Sequence, residues 1–163
     1  MTMNLYAPHI YVIPEDDCDR QLADGFIYHD QVKAARVKVM PPPGGWREVL
    51  KTFTNEYIHK LRNNQKGHIL LLIDFDDHYD DRRKEFDDAI PDDLKERVFV
   101  VGAKLTPEQL KRELARNYEQ IGLLLADDCF AGTAITWDHN HLKHNEPDRL
   151  RLVSIVKPIL FGD

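Results

Sequence analysis

Two aspartates one residue apart, Asp74 and Asp76, follow directly on the apolar run Ile69-Leu70-Leu71-Leu72-Ile73. In an extended segment, side chains two apart share one side, so both carboxylates face one way while Phe75 turns into a packed layer. Positions 74 to 81 carry five aspartates. Carboxylates within ~5 Å of each other repel by roughly 1 kcal/mol per pair even in water. A cation relieves that repulsion, and hard oxygen ligands favour Mg2+ or Mn2+. Asp77, Asp80 and Asp81 have a simpler role, capping the next helix and facing water. Asp74, Asp76, Asp80 and Glu85 fall at the offsets of a calcium loop, but Tyr79 stands where that loop needs glycine. A second acidic segment, Glu15-Asp16-Asp17-Cys18-Asp19, follows the run Ile10-Tyr11-Val12-Ile13.

Four short apolar runs are expected to be buried strands: His9 to Ile13, Ala35 to Met40, His68 to Ile73 and Arg97 to Val101. Their β-branched, near-continuous apolar character suits a parallel sheet covered on both faces. Helical patterns lie between them. Trp46, Val49, Leu50, Phe53, Tyr57, Ile58 and Leu61 form one stripe. Thr106-Pro107-Glu108-Gln109 opens a second helix as a capping box, and Leu110, Leu114, Tyr118, Ile121 and Leu125 continue one face from it. A last helix starts near Pro147 and carries Leu150, Val153 and Val156. This order predicts a single α/β domain over 1–163: a mainly parallel sheet of about four strands with helices on both faces, a core of about 8–126, and a C-terminal helical extension over 127–163.

In open α/β sheets, ligands collect at the carboxyl ends of the strands. Glu15, the Gly44-Gly45 turn and Asp74 fall at three such ends. A strand ending in glutamate, a glycine turn, and a later strand opening into Asp-x-Asp resemble the TOPRIM fold of topoisomerases, primases, small RNA-processing nucleases and OLD-type nucleases. Ile10 to Glu15 with Asp19 matches its first motif and Leu71 to Asp76 its second, although Asp16 stands where the family usually has glycine. The resemblance spans about Ile10 to Val101. It implies a catalytic Glu15 acting as general acid or base, and Mg2+ or Mn2+ held by Asp74, Asp76 and Glu15 for phosphoryl transfer on a nucleic acid or nucleotide phosphodiester.

Lys104, after the fourth strand, is the expected catalytic cation. Asp19, Gly44 and Gly45 are candidates for substrate contact. So are His139, Lys143 and His144 in the stretch Trp137 to Asn145, whose simpler reading is a polar loop or cap. His9, His68 and Trp46 read as structural.

The net charge of -6 argues against an extended basic face that would coat nucleic acid non-specifically. A bound metal can supply positive charge locally. No apolar run reaches the roughly 18 residues of a membrane span. Two cysteines are too few for a disulfide scaffold, so a reducing, cytoplasmic setting is expected. Two other readings use the same residues. A phospho-receiver would line up Asp16, Asp17 and Asp74 with Lys157, and a TOPRIM-like scaffold would bind a partner without chemistry.

Overall fold

A computed structural model describes residues 2–162. Strands β1 (His9–Pro14), β2 (Val37–Val39), β3 (Gly67–Leu72) and β4 (Val98–Val101) form one sheet in the order β2-β1-β3-β4, all parallel. The helices are α1 (Asp17–Ile27), α2 (Trp46–Thr52), α3 (Ile58–Asn63), α4 (Tyr79–Ala89), α5 (Pro107–Leu114), α6 (Tyr118–Ala131) and α7 (Glu146–Phe161). The fold is α/β, as the alternation of patterns predicts.

Alternation along the strands sorts side chains to two apolar layers. Ile13, Ile69, Leu71, Val98 and Val100 pack with Val49, Phe53, Tyr57, Leu61 and Phe86 from α2, α3 and α4 and the turn between α2 and α3. On the opposite face, Ile10, Val12 and Phe99 meet Ala23 of α1 and Val156, Ile159 and Leu160 of α7. The C-terminal extension thus returns to the central core. Outside α1 lies α6, and the two approach until a Cβ on Gly25 would stand 2.1 Å from the Glu119 carbonyl oxygen and one on Gly122 2.0 Å from that of Leu22. Only glycine allows these backbones to cross so closely.

Several elements differ from expectation for identifiable reasons. The second strand shortens to Val37–Val39 because Ala34–Arg36 form a 3-10 turn ahead of it. The stripe from Trp46 is interrupted by a π turn, Phe53–Tyr57. Its most buried members, Val49, Phe53, Tyr57 and Leu61, recur every four residues. That interval exceeds the 3.6 residues of an α turn, and the wider π turn keeps them all on the sheet. The long face from Leu110 to Leu125 breaks at Ala115, which is left-handed (φ 53). A reciprocal capping box, Asn117 with Gln120, starts α6 there, whereas at Thr106 only the hydroxyl caps, accepting from Gln109 N. Leu150 is 54% exposed because the turn of α7 that carries it turns Asp148 and Arg151 toward β4 instead.

Those two side chains belong to a ladder that finishes the outer edge of β4. Asp148 Oδ2 accepts from Val100 N (2.8 Å), and Arg151 donates to Val98 O (2.9 Å). Arg83 donates to Val100 O (3.0 Å) and forms a bidentate pair with Asp148. Asn145 accepts from Gly102 N and donates to Gly102 O, which also takes a hydrogen bond from His144. Side chains here do what a fifth strand would do, and an unpaired edge is avoided. Asp148→Ala would leave Val100 N–H without its acceptor and take from Arg83 and Arg151 the carboxylate they share. It is expected to lower unfolding free energy by about 3 kcal/mol in urea denaturation, whereas Leu150→Ala on the same helix changes it by less than about 0.5 kcal/mol.

Candidate metal centre

The strand order reverses direction between β1 and β3: from β1 the chain moves to β2 on one side, then to β3 on the other. Crevices in open α/β sheets form at such a switch point, outside the carboxyl ends of the strands. Glu15 leaves β1 there, with its N–H still bonded to Leu72 O, and Asp74 leaves β3. Asp16 follows Glu15 as the N-cap of α1, accepting from Cys18 N (3.1 Å) and Asp19 N (3.3 Å). This cap orients the first turn so that Asp19 lies inward. Asp17 lies outward, paired with Arg20.

Glu15, Asp16, Asp19 and Asp74 each offer one carboxylate oxygen, and these atoms all lie within 4.8 Å of one another. Glu15 Oε1 also accepts from Asp74 N at 3.2 Å. Asp19 is only 1% exposed, yet neither of its oxygens has a hydrogen-bond donor, nor does Asp74 Oδ1. A shared proton, a bridging water or a cation would satisfy such a group, and a cation alone offsets the clustered charge as well. The four residues are therefore equipped to hold a metal ion.

Burial is the main cause of the electrostatic behaviour. It pushes the Asp74 carboxyl up to about 9 and Asp19 well above the carboxylate range, and the neighbouring negative charges add to both shifts. Glu15 is raised as well, again chiefly by burial, with the Asp74 N–H working in the opposite direction.

Asp76 does not join the cluster. The segment after Phe75 is not extended, because Asp76 (φ 47) and Asp77 (φ 61) are both left-handed. Asp76 N bonds Leu105 O and Asp77 N bonds Lys104 O, closing the turn before α4. The Asp76 carboxylate is consequently swung onto Arg82 (2.7 Å), whose guanidinium also donates to Asp74 O (2.6 Å) and lies over Trp46. Phe75 is fully buried, as expected.

The other sequence candidates are placed as follows. Gly44 and Gly45, at φ 88 and 120, direct both N–H groups to the Glu15 carbonyl oxygen (3.0 and 3.2 Å). They position Glu15, and side chains at those angles would be strained. The Lys104 side chain is exposed and forms no ion pair with the carboxylates, while its backbone N–H is bonded to His141 O. His139 and His141 both contact Glu113 of α5. His144 is wedged against Phe75 and Tyr79, and Lys143 is exposed beside it. None of this histidine stretch belongs to the acidic cluster. His68, bonded to His9 O, and His9, bonded to Ala7 O, are buried as structural groups.

Sequence reasoning overlooked Asp16 as a cluster member and Arg82 as the nearby cation. It also gave Asp19 to substrate rather than metal. The Asp16-x-x-Asp19 spacing, an N-cap with an acid one turn on, was the legible signal. A separate cavity of about 110 Å3 is lined mostly by apolar side chains such as Leu22, Phe26, Leu72 and Val156, and it contains no carboxylate.

Compared with known proteins, the chain matches no family model, no curated protein and no solved structure. Among the described residues, no helix is long and apolar enough to cross a membrane.

An acid with a folded-state pKa above its unfolded value holds a proton when folded and loses it on unfolding. Its contribution to stability therefore falls as pH rises from the unfolded value through the folded one, for Asp74 from 3.8 to about 9. Metal-free protein is expected to lose thermal stability across that window, and added Mg2+ or Mn2+ to restore it increasingly toward the alkaline end. Asp19→Asn removes a buried carboxyl that is costly to ionise, so at about pH 8 it should raise the metal-free melting temperature by about 3–6 °C and abolish the metal response. A metal-free melting temperature that rises with pH would contradict this electrostatic account.

Proposed function

We propose that the protein is a metal-dependent, phosphodiester-acting enzyme of TOPRIM-like architecture, with Mg2+ or Mn2+ held by Glu15, Asp19 and Asp74. The observation that carries this reading is Asp19, a nearly fully buried carboxylate with no donor, grouped with carboxylates from β1 and β3 at the switch point of a parallel sheet. Oxygen-only donors suit hard cations. Bound there, the cation would offset the clustered negative charge and supply the positive charge that a reacting phosphodiester requires.

The protein's own groups have distinct parts in this reading. Glu15 is the proton carrier, because burial raises its proton affinity. The Gly44 and Gly45 N–H groups hold its backbone and the Asp74 N–H holds its carboxylate. Asp16 holds α1 and so keeps Asp19 in place. Arg82, which donates to the Asp74 carbonyl oxygen, takes the role first given to Lys104. The phospho-receiver alternative is less well supported, since Lys157 lies on α7, where its charge acts on Cys129.

With Mn2+, wild-type protein is expected to cleave at least one of single-stranded DNA, duplex DNA, RNA or an activated phosphodiester. Glu15→Gln should reduce the rate by about 100-fold or more, because an amide cannot carry the proton, while the Mn2+-induced rise in melting temperature is weakened but persists through the amide oxygen and the two aspartates. Asp74→Asn should lose both cleavage and the metal shift, and Asp76→Asn should keep the shift. Metal binding without cleavage of any substrate would replace the enzyme by a partner-binding scaffold.

A further inference from the structure

Where α5 meets α6, the corner opens an exposed cleft of about 490 Å3 whose lining includes Glu108, Lys111, Arg112, Arg116, Asn117 and Gln120. The three cations are exposed, and none is paired with a carboxylate among the described residues. Lys111 Nζ lies 5.0 Å from the centre of the Tyr118 ring, a cation–π contact that holds the ammonium at the corner without neutralising it. Asn117 and Gln120 use their side-chain oxygens in the capping box of α6, leaving their NH2 groups as further donors. In a chain with 28 acidic and 22 basic residues, a lining of three cations against one acid, Glu108, reverses the prevailing charge locally.

The cleft adjoins the carboxylate cluster. Cys18 sits between Asp16 and Asp19 on the first turn of α1, and its thiol contacts Glu108 Oε1 (3.8 Å). The Tyr118 hydroxyl acts on the same thiol, lowering its proton affinity against the rise that burial causes. One side chain therefore separates the acidic group from the residues that carry the cations. Phosphate oxygens are the anions that such a fork of arginine and lysine donors fits.

We propose that this cleft grips backbone phosphates of a single-stranded nucleic acid, one of whose phosphodiesters reaches the Glu15–Asp19–Asp74 cluster. The inference rests on the phosphodiester reading of that cluster and names its substrate class. A single strand is favoured because three cations at one corner serve one backbone, while the net charge of -6 leaves no extended basic face for the second backbone of a duplex. The contacts are to phosphate, so base sequence should matter little.

Binding of labelled single-stranded DNA and RNA of about a dozen nucleotides, followed by fluorescence anisotropy with Mn2+ in the Glu15→Gln background, tests this directly. Three phosphate contacts predict a slope of log affinity against log salt of about -2. Combined Lys111→Gln, Arg112→Gln and Arg116→Gln should weaken binding about 10-fold or more and flatten that slope. The Mn2+-induced melting shift should be unchanged. Removing three paired cations elsewhere, Arg62→Gln, Lys84→Gln and Lys95→Gln, should leave binding within about twofold, as should Lys111→Arg with Arg112→Lys and Arg116→Lys. The DNA and RNA arms decide which strand is preferred. Equal binding by the cleft triple variant, or tighter binding of a duplex, would overturn the proposal. Absence of strand binding despite a normal Mn2+ shift would overturn the cleft and leave the metal centre standing. Strand binding that depends on the three cations, with no Mn2+ shift, would retain the cleft and remove the metal centre.

Discussion

Asp19 presents a buried carboxylate to Glu15 and Asp74 with no donor to satisfy it, and this unbalanced charge is the condition around which the other elements are arranged. Burying an ionised group costs several kcal/mol even after relaxation. Nothing in the apolar layers requires it, because the two faces of the sheet are filled by Ile, Leu, Val and Phe independently of this cluster. The penalty is carried by the remainder of the fold. Asp16 caps α1, the paired glycines hold the Glu15 carbonyl, and the close α1–α6 crossing at Gly25 and Gly122 keeps α1 from shifting outward.

The C-terminal extension bears on the same site from the other side. Asn145 and Asp148 complete the edge of β4, and His144 packs against Phe75, the residue after Asp74. Phe75 N is bonded to Ala103 O, just beyond β4. The edge ladder, the β4 exit and the Asp74 turn therefore form one connected structure. A histidine-rich stretch that suggests ligands by composition serves here as a wedge and a clasp.

What could be read from the sequence follows from how local the determining interactions are. The strands were legible because continuous apolar runs of β-branched residues have few alternatives, and the positions of Glu15 and Asp74 followed from the strand ends. Asp76 was misplaced because period-two reasoning assumes an extended chain. Two consecutive aspartates instead adopt left-handed angles, which Asp tolerates better than most residues. The break between α5 and α6 was legible in Asn117-x-x-Gln120 but was masked by apolar spacing that continues across it. The ladder from α7 to β4 depends on tertiary geometry alone, and no local pattern announces Asp148 as a substitute for a neighbouring strand.

The central claim is that Asp19, rather than Asp76, completes the metal site with Glu15 and Asp74. The most direct measurement is an anomalous difference map from crystals soaked in Mn2+. The account predicts one strong peak among the carboxylates of Glu15, Asp19 and Asp74, at ligand distances of about 2.0–2.3 Å, with Asp76 still held by Arg82. A peak coordinated by Asp76 with Asp19 turned away, or no peak at the switch point at saturating Mn2+, would contradict it.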